Sequence, residues 1–324
     1  MKHNVVLYSF TLFLAALSQL LAGEKVGTTS FQFLKMPLDA RSAAMGGAAI
    51  SSVNTSEALF WNPAGLRRTT GLDVSTSYVD YFLDVNMFSG AISMPLGQSS
   101  AVGLFAVVVD YGSIDVTDAD HLFFNADWTY NPGLTGEKIN PRASVFGISY
   151  ALSVTDKLTF GVSAKYQRED LIMAKGSTVA FDGGLTFDTG WRTLRFGAAI
   201  RNFGPDVTFI KESYPLPETF TVGISGYLFS SNESLFMKSS SQSLLLSYDL
   251  SHPRDYDQQH HFGVEYTVMD FLSLRGGYKL NFDEEGVTYG IGVKFNNFRL
   301  DYAYDHFGTV LPSVHRISIG YALN

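Results

Sequence analysis

The feature that most constrains this chain is two-residue alternation, repeated over most of its length. In Leu158-Thr159-Phe160-Gly161-Val162-Ser163-Ala164-Lys165-Tyr166 the even positions are apolar and the odd ones small or polar, Leu158 included among the former. Val287-Thr288-Tyr289-Gly290-Ile291-Gly292-Val293-Lys294-Phe295 alternates likewise, and Phe220–Ile224, Phe262–Tyr266 and Ile317–Tyr321 repeat the pattern. Successive side chains of a strand point to opposite faces, so each segment has one apolar and one polar face. A soluble sandwich alternates too. Three further features separate the readings. The segments run to about 10 residues, the length of a tilted membrane strand. Aromatic residues such as Tyr78, Tyr81, Tyr111, Tyr150, Tyr227, Phe271, Tyr304 and Tyr321 stand near strand ends, where amphipathic rings settle at membrane interfaces. Charges of both signs, among them Lys165, Asp182, Arg201, Glu265, Arg275, Arg299, Asp301 and Arg316, share the polar face, which a barrel lumen accepts and lipid does not.

The expected fold is therefore all-β, an antiparallel transmembrane barrel. Strands are expected near 72–81, 85–95, 99–110, 142–153, 157–169, 178–189, 193–204, 217–229, 241–252, 258–268, 270–281, 285–296, 297–306 and 313–323. That is about fourteen, an even number as in single-chain bacterial barrels. Tight connections alternate with longer ones, the asymmetry of periplasmic turns and outer loops. The 111–141 connection alternates in places and reads as a hairpin above the membrane. The serine-rich 230–241 connection is long on the side where turns are short.

Three units follow from this reading: a secretory signal over 1–23, an N-terminal plug over 24–70 and a barrel over 71–324. Lys2 and His3 precede an apolar run from Val5 to Leu17, and small residues follow at Ser18, Ala22 and Gly23, any of which suits cleavage. Within 24–70, Asn54-Thr55-Ser56-Glu57 has the form of a capping box and predicts a helix over 55–60. Asn62-Pro63 should stop it, because the residue before proline leaves the helical region. Gly46-Gly47 and Gly65 permit sharp turns and close backbone approach. Lumen-side glycines at 161, 223, 263, 290 and 292 would leave room for such an element.

Little chemistry is expected. The chain has no cysteine, so disulfides, thiolate metal sites and Cys nucleophiles are excluded. Its net charge of -8 argues against nucleic acid as a partner. His260 and His261 are strand neighbours on opposite faces and would not chelate together. No cofactor, metal or enzymatic activity is expected, since no motif places a nucleophile beside a base.

Three segments carry a resemblance. Phe31-Gln32-Phe33-Leu34, then Asp39–Ala48 with Arg41, Gly46 and Gly47, then Ala58–Leu66 with Asn62, Pro63, Ala64 and Gly65, resemble the N-terminal signature of the PorV/PorQ family of FadL-like outer-membrane barrels. The resemblance covers about 40 residues and implies fourteen strands around an N-terminal lumenal segment. It makes Asp39, Arg41, Gly46, Gly47, Asn62, Pro63, Ala64 and Gly65 the expected plug motif, with Asp39 and Arg41 paired to lumen charges. It further implies a non-enzymatic accessory of type IX secretion, with outer-membrane lipid around it and translocon subunits or secreted cargo as partners. The alternative is a FadL-like carrier of hydrophobic small molecules. A charged, filled lumen fits the first, and an apolar pocket of about 300–1,000 Å³ the second.

Overall fold

The computed structural model describes residues 27–231, 233–308 and 311–323. The expected signal segment lies outside the described residues. The strands, in chain order, are β1 (Leu72–Asp80), β2 (Asn86–Leu96), β3 (Ser100–Asp110), β4 (Ile114–Phe124), β5 (Tyr130–Ile139), β6 (Arg142–Ser153) and β7 (Leu158–Asp170). They continue as β8 (Lys175–Asp188), β9 (Arg195–Phe203), β10 (Val207–Phe209), β11 (Glu212–Tyr214), β12 (Thr219–Ser230) and β13 (Met237–Lys238). The remainder are β14 (Gln242–Pro253), β15 (Gln259–Val268), β16 (Leu272–Leu280), β17 (Glu285–Phe295), β18 (Phe298–Phe307) and β19 (Val314–Leu323).

Fourteen of these form one closed antiparallel barrel, in which each strand pairs with the next barrel strand and β1 pairs with β19. All fourteen coincide with the strands expected from alternation. Closure satisfies every ladder within the sheet, which is what hydrocarbon demands of a spanning backbone. No helix among the described residues is long and apolar enough to cross a membrane.

The alternation becomes a division between lipid and lumen. On β7 the side chains of Phe160, Val162 and Tyr166 are exposed on the outer wall, while Ser163, Lys165 and Gln167 are buried inside. Aromatic pairs cross neighbouring strands on the wall, as in Tyr78 with Phe88 and Phe298 with Tyr321, at centroid distances of 4.9 and 4.7 Å. Such pairs help hold register.

The 111–141 connection is indeed a separate hairpin, β4 with β5, and a second small one, β10 with β11, stands in the 204–218 loop. The long turn-side connection also has a structural cause. Its two-residue β13 runs parallel beside the end of β12, and Leu235 and Phe236 donate to the carbonyls of Tyr227 and Leu228.

A lumenal chamber above a packed plug

The described chain starts at the loop-bearing end, threads the lumen and reaches β1 at the turn-bearing end. At the outer mouth Thr29 Oγ1, Gln32 Nε2 and Lys35 Nζ all donate to the Asp255 carboxylate, at 2.8, 3.2 and 2.9 Å. Ser30 donates its amide to the Pro215 carbonyl. Burial alone would raise the Asp255 carboxyl, but the bonds from Lys35, Gln32 and Thr29 outweigh it and hold it below the usual carboxylate range.

A five-residue helix, Ala40–Ala44, follows. Asp39 caps it by accepting from the Ser42 amide at 2.7 Å, and its second oxygen takes the Trp61 indole proton at 2.6 Å. Arg41 and Asp39 therefore differ from their expected shared role. Arg41 pairs with a lumen charge, giving two 2.9 Å bonds to Glu265, which also accepts from Arg275. Asp39 instead works within the plug.

Gly46 has φ +67°, and a Cβ there would stand 2.8 Å from the Phe262 carbonyl. No other residue fits that turn. Its amide donates to Thr288 Oγ1, and its carbonyl lies 2.7 Å from His261 Nδ1. Gly47, at φ +79°, faces the same histidine. His260 points outward to Tyr248, so the two histidines are indeed on opposite faces. The Ala49 and Ile50 amides both donate to Asp249 Oδ2.

The capping box does not form. Thr55–Phe60 is a 3-10 helix, and Asn54 makes no cap bond. Thr55 takes a left-handed φ of 56°, which turns Asn54 away from the first turn. The Ser56 amide is met instead by Asp73 of β1, and Glu57 lies 3.9 Å from Arg299. Asn62 ends that helix and starts another, Pro63–Arg68, by accepting from the Ala64 amide. Proline suits the first helical position because its missing donor is unused there. The Asn62 amide nitrogen also donates to the carbonyls of Ile50 and of Leu185 on β8.

Wall glycines receive this segment. A Cβ on Gly161 would lie 2.2 Å from the Ala64 nitrogen, one on Gly277 2.1 Å from the Gly46 nitrogen, and one on Gly290 2.3 Å from the Ala44 Cβ. Gly223 and Gly292 serve differently, facing the side chains of Asp249, Asp301 and Arg275. Gly65 packs inside the plug, against Val53 and Ala58. All eight residues of the expected motif thus lie in this lumenal element.

Above the plug remains a chamber of about 570 Å³. Ile50, Trp61, Met36 and Pro37 form its floor and side; Tyr81, Phe82, Phe282 and Phe307 line it from the wall and loops. About half of its lining residues are polar or charged, and the lysines among them are paired: Lys279 is held by Glu285 and Asp305, and Lys35 by Asp255. Arg201 differs. Its guanidinium lies 5.2 Å over the Trp61 ring and donates to the Phe60 carbonyl, and among the described residues no carboxylate lies within ion-pair distance of it. Sequence reading marked Arg201 only as a lumen charge, and it singled out neither Asp249 nor Asp255. Arg201 on β9 and Asp249 on β14 keep the two-residue spacing of the lumen face, whereas Asp255 lies in the connection after β14; the partners of all three come only from the fold.

These features define an outer-membrane β-barrel with a plugged lumen and the fold of FadL-like barrels. No family model matches the sequence, and no curated protein matches it. Solved structures do. The Ralstonia pickettii toluene transporter TbuX matches with TM-score 0.56 at 16% identity, over 88% of this chain and 98% of that one. The Pseudomonas putida toluene transporter TodX gives 0.56 at 16%, over 87% and 96%. A Pseudomonas aeruginosa FadL homologue gives 0.55 at 13%, over 89% and 99%. At such identities the shared property is the fold. Two of these neighbours are toluene transporters, and none of the comparisons brings out the PorV/PorQ family.

Proposed function

We propose that this barrel binds hydrophobic small molecules at the outer membrane and passes them inward around or through a displaced plug. The observation that carries this reading is the chamber. Its volume lies within the range of small-molecule sites, and most of its exposed lining surface is apolar, with polar and charged groups such as Lys35, Arg201, Gln259 and His261 set among the aromatic and aliphatic ones. Toluene transporters among the fold neighbours support an aromatic or aliphatic ligand. The test uses the three tryptophans of the chain. Trp128 and Trp191 are exposed, whereas Trp61 faces the chamber. In a W128F/W191F variant, toluene or naphthalene should change Trp61 fluorescence saturably. A change that only grows in proportion to ligand would remove the reading.

A second reading, a non-enzymatic accessory of type IX secretion, rests on the N-terminal resemblance. The exposed Phe123, Phe124 and Trp128 of the β4–β5 hairpin favour protein binding at the outer loops. Affinity purification from native membranes discriminates: co-purifying translocon subunits or cargo support secretion, and bound apolar molecules support the carrier.

A further inference from the structure

The outer wall carries charges where lipid, not lumen, surrounds it. The register aligns the residues of β1, β2, β3, β6, β7 and β8 in rows, and every second row faces out. The uppermost row reads Asp80, Asn86, Asp110, Arg142, Asp170, Lys175, and the next outward row Tyr78, Phe88, Val108, Ser144, Arg168, Ser177. Three cations, Arg142, Arg168 and Lys175, thus meet on adjacent strands at the rim nearest the outer loops. Lys175 and Arg168 flank Asp170 at 2.8 and 3.8 Å, with side chains 57% and 52% exposed, so most of each cation remains open to an added partner. Arg142 has no ion-pair partner among the described residues. Asp110 stands beside it in register but spends one oxygen on the Gly112 amide. Against Asp110 and Asp170 the three cations keep one net positive charge, and Asp80, on β1 three strands from Arg142, is the remaining acid of the row.

Directly beneath lies a depression of about 820 Å³ in the lipid-facing wall. Its upper row is Thr76, Gly90, Ala106, Phe146, Tyr166 and Val179. Gly90 and Ala106 form a low floor; Phe146 and Tyr166, both exposed, form one bank. Cations at the headgroup level above an apolar hollow match one kind of occupant, an anionic amphiphile with several acyl chains. Guanidinium and ammonium groups favour phosphate, and Arg binds it bidentately.

We infer that Arg142, Arg168 and Lys175, with the hollow below them, bind a phosphorylated, multi-acylated glycolipid of the outer leaflet. This site is on the outer wall and is independent of the lumenal chamber. The test is native mass spectrometry of the full barrel in detergent, with bisphosphorylated lipid A, its dephosphorylated form and inorganic phosphate as probes. Wild type should retain bisphosphorylated lipid A, and R142A/R168A/K175A should lose about tenfold or more of that retention, while excess inorganic phosphate fails to displace the lipid. An A106F variant, which fills the hollow and keeps the charges, should also lose it. Heat-modifiable mobility and Trp61 fluorescence confirm that each variant is folded. Equal retention by the triple variant, or by dephosphorylated lipid A on wild type, would overturn the site. Displacement by inorganic phosphate would show a free-anion site instead of a lipid site.

Discussion

Arg41 donates Nε and Nη2 to the two carboxylate oxygens of Glu265, each at 2.9 Å, and so ties the first helix of the plug to strand β15. Glu265 in turn accepts from Arg275, which reaches Asp301 at 2.6 Å. The plug is anchored into a charge network that already belongs to the wall. Removing one partner from a buried pair costs more than the pair contributes, about 3–5 kcal/mol, because the other charge is stranded. R41A should therefore loosen the plug without opening the barrel. Single-channel recording in planar bilayers should show higher or noisier conductance than wild type, and silent bilayers identical to wild type would mean that this tie does not hold the plug.

The glycine contacts give a sharper version of the same claim. Gly161 and Gly277 lie where any side chain would enter plug backbone. G277V should exclude the Gly46 turn and raise conductance through a barrel that still inserts. G90V, on the outer wall where nothing lies within 4 Å of the added Cβ, should change neither property. Equal behaviour of the two variants would contradict the close fit.

At the outer mouth, Asp255 gathers three donors from the N-terminal segment. Its carboxyl is held below its usual range, so its contribution is present above the unfolded value of about 4 and is lost as pH falls through the lower folded value. D255N mimics the protonated form. At neutral pH it should expose the 27–35 segment to protease, and wild type should show the same cleavage only under strong acid. Protection that persists in D255N would show that other contacts hold the segment.

The lipid face is tested at Val162, which is 59% exposed on the wall. V162R should cost about 2–4 kcal/mol in refolding into bilayers if it lies near the midplane, whereas V162L should be close to neutral. Urea titration of the inserted barrel measures both. A neutral V162R would place that face away from lipid. The adjacent Ser163 offers no roomy contrast: it is 3% exposed and bonded to Ser149 at 2.6 Å, so the lumen is filled there.

Strand number and facing were legible because period-two alternation survives on both sides of the wall; even the fourteen boundaries fall within a few residues. The plug segment was legible as non-strand through Gly46-Gly47 and Asn62-Pro63. Its internal bonds were not. Asn54 to Glu57 has the spacing of a capping box, yet Thr55 is left-handed and the carboxylate of Asp73, on β1, takes over the Ser56 amide. Asp39 looked like a partner for lumen charge, and a tryptophan 22 residues on claims its second oxygen. The chamber had no local signal, because it is the space left between loops, wall and plug, and its lining is drawn from many strands.

The most direct measurement is of place. Crystals of the barrel soaked with bromobenzene, recorded at the bromine edge, locate an apolar ligand by its anomalous signal. The account predicts a peak inside the chamber, beside Trp61 and Phe282 and above Ile50. Peaks confined to the lipid-facing wall, with the chamber empty at saturating ligand, would contradict it.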